Sequence, residues 1–276
     1  MSTEDRRAST LCQTGEMTPP ASRWSTLREW LRRPLIVLLA LSTFGLGVAT
    51  LLGWAFAEVY EAVTDNNGIA GFDQPVLTWM VASRTPAVTL FVNGFTMTGG
   101  PIGMPIIAVV VTAILMRVSH AVRPLVLTLV AAAGSLGMTL AIKWLVGRQR
   151  PPHVEAVPPY ESSASFPSGH ALNAIVITGI LVYSTLLILR TSRARWLAVV
   201  IGGVYALAIG LSRVYLGHHW LSDVVGAWLL GLAWLAVVVV AHRLAHAYMR
   251  RSRRTDRAID GPSVPLKGPG AAGPGE

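Results

Sequence analysis

The chain has 276 residues, with 23 Lys and Arg against 14 Asp and Glu, for a formal charge of +9. Apolar residues make up 52% and charged residues 13%, well under the roughly 25% charged share of a soluble domain, which excludes an ordinary water-soluble enzyme. Cys12 is the lone cysteine, so neither an intramolecular disulfide nor a cysteine-built metal site is available.

Residues 1–33 are polar, basic and rich in Pro, Ser and Thr, a composition expected to stay disordered. An apolar run then covers 34–57. Its end, "AFA" at 55–57, resembles a signal-peptide cleavage site, but the run exceeds the roughly 7–15 residues of a signal core, so an uncleaved anchor is expected. Residues 58–100 form an external segment, in which "DQPVLTWMVASRT" and "PAVTLFVNGF" suggest short amphipathic helices in the membrane interface. Further apolar runs follow over 101–118, 123–145, 170–190, 196–216 and 221–243, each near the ~20 residues that cross a bilayer. The expectation is an all-α polytopic bundle of six transmembrane helices over 34–246, with 101–243 as its motif-bearing core. The basic segment 247–276 is expected to be a second disordered tail. No internal repeat is visible.

Charge orients the bundle. The N-terminal segment (Arg6, Arg7, Arg23, Arg28, Arg32, Arg33), the turn with Arg117 and Arg123, the turn with Arg190, Arg193 and Arg195, and the C-terminal segment from Arg243 to Lys267 hold 18 of the 23 basic residues. All fall on one face of a six-crossing bundle, and basic loops stay cytoplasmic. Both termini are therefore expected inside, in a plasma membrane, and the positive charge needs no nucleic acid partner. Arg84, Lys143, Arg148, Arg150 and Arg213 lie at the other face, where topology does not explain them.

Three blocks gather these exceptions: "KWLVGRQRPP" (143–152), "FPSGH" (166–170) and "SRVYLGHHWLSD" (212–223). Between His170 and Ser212 stand 41 residues, two crossings' worth, so the second and third blocks emerge on one face. The fifteen-residue loop 152–166 brings the first to the same place. Lys143 and Arg150 are seven apart and share a helical face. Ser168 can cap the helix that follows, with its first-turn amides and Gly169 turned toward an anion. With Arg213 these form an anion cradle whose directional donors suit phosphate oxygens.

His219 and Asp223 are four apart and stack on one helical face, whereas His218 pairs in that spacing with Ser222. Asp223 can accept from one ring nitrogen of His219, hold its tautomer and leave the other nitrogen free as a nucleophile. His170 can protonate a leaving oxygen as general acid. Phosphoryl transfer to His219 and then to water divides hydrolysis into two easier steps.

These blocks resemble the signature of the type 2 phosphatidic acid phosphatase and vanadium haloperoxidase superfamily. The matching identities are Lys143, Arg150, Pro151, Pro167, Ser168, Gly169, His170, Ser212, Arg213, His219 and Asp223. The resemblance implies a helical bundle, His219 as the phosphorylated nucleophile, His170 as the acid, and Lys143, Arg150 and Arg213 as phosphate ligands. Membrane members of the family are similar to this chain in having six helices and an outward site for lipid phosphates.

Blander readings fit single residues: Lys143 alone would snorkel to the headgroups, and "PSGH" alone would be a helix start. Their concurrence at one face favours a site. His242 and His246 have metal-ligand spacing but lie beside arginines with no carboxylate, which makes them interfacial. Trp144, Trp220 and Trp228 are interface anchors or packing. Only Asp223, Glu155 and Glu161 lie near the site, too few carboxylates for a two-metal phosphatase, and no G-x-S-x-G is present. Haloperoxidases resembling this motif are soluble.

The expected function is metal-independent, cofactor-free hydrolysis of a lipid phosphate or diphosphate at the outer face, through a phosphohistidine. The candidate substrates are a polyprenyl diphosphate such as undecaprenyl diphosphate, phosphatidylglycerophosphate and phosphatidic acid. A lipid phosphotransferase with the same site and a non-catalytic anion transporter are the alternatives. The expected partners are the lipid substrate and the surrounding membrane lipids.

Overall fold

The computed structural model describes residues 34–259, so the expected N-terminal tail 1–33 and the last residues of the C-terminal one lie outside the described residues. Internal contacts divide the chain into Met1–Ala40 and Leu41–Glu276. Of the first unit, 34–40 is described, as helix. The second contains everything that builds the site.

The described residues form helices joined by turns, with no strand. Helix α1 spans Pro34–Asp65 and runs straight through Ala55–Ala57, eight residues past the expected end at 57. The external segment holds two short helices, α2 (Asp73–Ala82) and α3 (Pro86–Thr98). Thr85 caps α3 by accepting from the amide of Val88 at 3.4 Å, and Pro86 starts its first turn, where a missing N–H costs nothing. Then come α4 (Gly103–Ser119), α5 (Arg123–Val146), α6 (Gly169–Leu186), α7 (Ser192–Tyr215) and α8 (Leu221–Ile259).

Among the described residues five helices are long and apolar enough to cross a membrane by themselves, or six spans if α3 and α4, bent by 54° at their break, are one. The chain is thus an all-α, multi-pass membrane bundle. Two boundaries differ from the sequence expectation. The apolar stretch of the second crossing extends back into α3, because Gly99, Gly100 and Pro101 break the helix without ending the apolar run. The last helix continues to Ile259 instead of stopping at 246, since Arg and Ala past the apolar run are good helix formers that merely leave the membrane.

Helix α6 is central and packs against α4, α5, α7 and α8. Its Ala171, Leu172, Ala174, Val176 and Ile180 are fully buried. In lipid such contacts rest on close packing, not on removal from water. Glycines make the approach possible: a Cβ on Gly202 of α7 would collide with Val182 of α6, and one on Gly231 of α8 with Ile175. With α6 fixed among four neighbours, His170 in its first turn has a rigid mount.

Candidate active site

The ends of α5 and α7 and the starts of α6 and α8 meet on one side of the bundle, and the chain leaves each helix abruptly there. Gly147 ends α5 at φ 60°, its amide bonded to the Lys143 carbonyl at 3.1 Å. That left-handed turn suits glycine and sends Arg148 and Arg150 across to α8 and the turn before it. Gly217, at φ 73°, does the same after α7, and a Cβ there would overlap the Glu155 carbonyl oxygen. The amides of His218 and His219 then both return to the carbonyl of Arg213, at 2.9 and 3.3 Å.

His219 is buried, with Nδ1 at 3.4 Å from Asp223 Oδ2 and Nε2 at 3.0 Å from an Arg150 Nη1. A guanidinium only donates, so Nε2 is the acceptor and the ring proton sits on Nδ1, facing the carboxylate. Burial, followed by the Arg150 and Arg213 charges, holds the His219 ring well below its ordinary pKa, so it is neutral. Asp223 is fixed from several sides: Arg148 donates to Oδ1 at 2.5 Å, the Trp220 amide to Oδ2 at 2.9 Å, and the Ser165 hydroxyl also to Oδ2. Arg148 reaches Asp73 of α2 as well, at 2.7 Å, and Asp73 in turn accepts from the Ser222 amide and hydroxyl at 2.8 and 2.6 Å. Phe166 seats the loop between these groups, fully buried against Phe56 and Tyr60 of α1.

The remaining charges converge on Glu161. Its Oε1 pairs with Arg213 and lies 3.8 Å from His170 Nδ1. Its Oε2 is 2.8 Å from Arg150 and 4.0 Å from His219 Nε2. Burial alone would raise this carboxyl, but the charges around it, Arg213 and Arg150 above all, outweigh it and hold the pKa at about 2. Lys143 donates to the Ala164 carbonyl at 2.5 Å and to the Ser163 hydroxyl at 2.9 Å, and Arg150 donates to the Ser163 carbonyl at 2.7 Å. Both cations thus grip the loop that carries Glu161.

Lys143, Arg150, Arg213, His170, His219 and Asp223 therefore share one region, with Ser168 and Gly169 at the start of α6 beside His170. Four local expectations fail. Arg150 does not share a helical face with Lys143, because α5 ends at Val146, and His219 does not stack on Asp223 along a helix, because it precedes the start of α8 at Leu221. Ser168 makes no side-chain cap; its hydroxyl is buried without a protein partner, while its amide donates to the Asp223 carbonyl at 3.2 Å. A cap would need that hydroxyl over the second or third helical amide; here the hydroxyl makes no such bond. His218 does not pair with Ser222. It bonds the Val157 carbonyl through Nε2 at 2.6 Å, and Ser222 is taken by Asp73 and Arg148. The motifs give no sign of Asp73 or Ser165 as members of the site, and the sequence places Glu161 and Arg148 near the site without a role for either. Arg148 carries a faint signal, as a second uncompensated arginine two residues before Arg150.

A family model described as the PAP2 superfamily matches residues 123–246. The phosphatidylglycerophosphatase B of Bacillus subtilis is 30% identical over 178 residues, 64% of this chain and 86% of the relative. The chain belongs to the PAP2 superfamily. An undecaprenyl-diphosphatase of Sulfolobus acidocaldarius is 39% identical over 82 residues, 30% of this chain and 35% of that protein. The crystal structure of a transmembrane PAP2 type phosphatidylglycerolphosphate phosphatase from Bacillus subtilis aligns with a TM-score of 0.64 and 28% identity, covering 69% of this chain and 93% of that one. The PAP2 match begins at α5 and ends within α8, so it contains all three motif blocks but not α2, whose Asp73 completes the network behind the histidine.

Proposed function

We propose that this PAP2 protein is a lipid phosphate phosphatase that removes a terminal phosphate through a phosphohistidine, without a metal, at the outer face of the plasma membrane. The observation that carries the reading is the convergence of Arg150, Arg213, His170 and His219 on the two oxygens of a single carboxylate, with Asp223 behind the histidine. A phosphoryl group in that place would have two guanidinium clamps on its oxygens. Nε2 of His219 would attack phosphorus as the bond to the lipid oxygen breaks, and His170 would give that oxygen its proton. Water, deprotonated by His170, would then cleave the N–P bond and release inorganic phosphate. Asp223 meets the positive charge that grows on the His219 ring.

A lipid substrate is supported by a groove of about 560 Å³ along α4 and α5, lined by Gly100, Met104, Ala108, Thr112, Leu136 and Ile177. A Cβ on Gly100 would stand 3.1 Å from His170 Nε2, so the lining of the groove reaches the acid. From Met104 to Met116 it follows about 18 Å of helix, room for much of an acyl or prenyl chain while the headgroup lies in the cradle. Relatives named for phosphatidylglycerophosphate and undecaprenyl diphosphate fit that substrate class. The outward orientation rests on the basic residues, which crowd the turns at the opposite end of the bundle.

The test is phosphate release by purified protein in detergent, without added metal, from phosphatidylglycerophosphate, undecaprenyl diphosphate and phosphatidic acid. Release by the wild type and none by His219→Ala is expected. Activity lost in EDTA and restored by magnesium would contradict the metal-free mechanism.

A further inference from the structure

Glu161 has no part in the hydrolysis just described, yet it holds the position that hydrolysis requires to be filled by phosphate. Its two oxygens face all four groups assigned to the transferring phosphoryl. Because Arg213 and Arg150 keep it ionised, the occupant of the cradle is a monoanion. The carboxylate can leave without unfolding the loop. Lys143 and Arg150 pin residues 163–164 on one side of it, and His218 and Arg84 pin Val157 and Glu155 on the other. Glu161 itself is 29% exposed, at the mouth of the cradle, so rotation of its side chain carries it into water.

We propose that Glu161 is a specificity-determining residue: a built-in competitor that lets doubly charged terminal phosphates into the cradle and keeps out the singly charged phosphodiester headgroups that crowd the membrane surface. This inference rests on the phosphatase reading above. A tethered group competes at an effective concentration of millimolar or more. A phosphodiester offers the cradle one negative charge, the same as the carboxylate it must displace, and so gains no electrostatic advantage over the tethered rival. A phosphomonoester or the end of a diphosphate brings a second charge to a cradle of three cations, Lys143, Arg150 and Arg213, and wins the exchange. An enzyme fed laterally from a bilayer needs such a filter, since diester headgroups outnumber its substrates.

The test uses the full-length protein in mixed micelles, with phosphatidic acid as the monoester substrate and phosphatidylglycerol as the diester competitor. In the wild type, phosphatidylglycerol at several-fold excess is expected to leave the KM for phosphatidic acid unchanged. In Glu161→Gln, the Ki of phosphatidylglycerol is expected to fall by at least about tenfold, by more than the KM does, and Glu161→Asp should lie between. Competitive inhibition of the wild type by phosphatidylglycerol would overturn the inference without need of a variant. So would a loss of kcat in Glu161→Gln with Ki unchanged, which would make Glu161 a proton-handling group, or an equal fall in Ki and KM, which would make it an indiscriminate plug. A wild type that hydrolyses none of the lipid phosphates would sink the phosphatase reading itself, whereas an active wild type with an unaltered Ki to KM ratio in both variants would sink this inference alone.

Discussion

Replacing Arg148 by alanine removes the one cation that ties Asp223 to Asp73. The guanidinium is 13% exposed and the two carboxylates 0% and 5%, so this is a buried pair made twice over, at 2.5 and 2.7 Å, with a third bond to the Ser222 hydroxyl at 2.8 Å. Breaking a buried pair by removing one partner costs about 3–5 kcal/mol, because the survivor stays buried without its counter-charge. Arg148→Ala is therefore expected to lower the melting temperature in detergent. It also leaves Asp223 Oδ1 without its donor, and the carboxylate then turns away from His219 Nδ1, which already stands at 3.4 Å. Loss of the aspartate's hold on a catalytic histidine costs up to about 10⁴ in kcat in the serine protease case; a displaced rather than absent carboxylate should cost about 10²–10³. Arg148→Lys, which can reach only one carboxylate at a time, should recover part of the stability and less of the rate. The assay is steady-state phosphate release alongside thermal unfolding of the same preparations. A kcat for Arg148→Ala within about twofold of wild type, in folded protein, would refute the positioning role.

Asp223→Asn keeps the shape but offers His219 an amide that supports the wrong tautomer, and should lower kcat by about 10³–10⁴ with KM little changed. A large rise in KM with kcat intact would instead assign Asp223 to binding. Gly217→Ala puts a side chain at φ 73° against the Glu155 carbonyl; a strain of at least about 1–2 kcal/mol is expected, seen as a lower melting temperature and a weaker rate from a loosened His218–His219 turn, and an unchanged melt would contradict it. His218 is pushed down to about 4 by burial and by Arg213. Between pH 6.5 and about 4 the unfolded chain binds a proton that the folded one refuses, so stability is full above 6.5 and falls as pH drops, by about 3 kcal/mol across the window. From pH 7 to 5 the wild type should lose more melting temperature than His218→Gln, which can still donate to the Val157 carbonyl; equal losses would exclude this histidine as the source.

The legible part of the site is the part written by short spacings in the chain. His219 and Asp223 meet four residues apart, though across the turn before α8 and not on one helical face, and the backbone of Arg213 holds that turn, which Gly217 marks in the sequence. Crossing lengths of about 20 residues were enough to bring His170 and Ser212 to the same face. What could not be read comes from partners far apart in the chain: Arg148 and Asp223 are 75 residues apart, Ser222 and Asp73 149, Ser165 and Asp223 58, Arg213 and Glu161 52. No spacing rule connects such pairs. Apolarity alone also misplaced the helix ends. It measures the stretch that can lie in lipid, so it overlooked the break at Gly99–Pro101 and stopped α8 where its apolar run, but not its helix, ends.

A covalent intermediate on His219 is the central claim of the proposed mechanism. The measurement is a rapid quench into alkali, where phosphohistidine survives, of full-length protein mixed with a lipid phosphate radiolabelled in its terminal phosphate. Label bound to the wild-type chain at early times, chased by unlabelled substrate and absent from His219→Ala, is the predicted result. An active wild type that releases labelled phosphate while never carrying label, in experiments able to resolve a single turnover, would contradict a phosphohistidine and assign His219 to activating water instead.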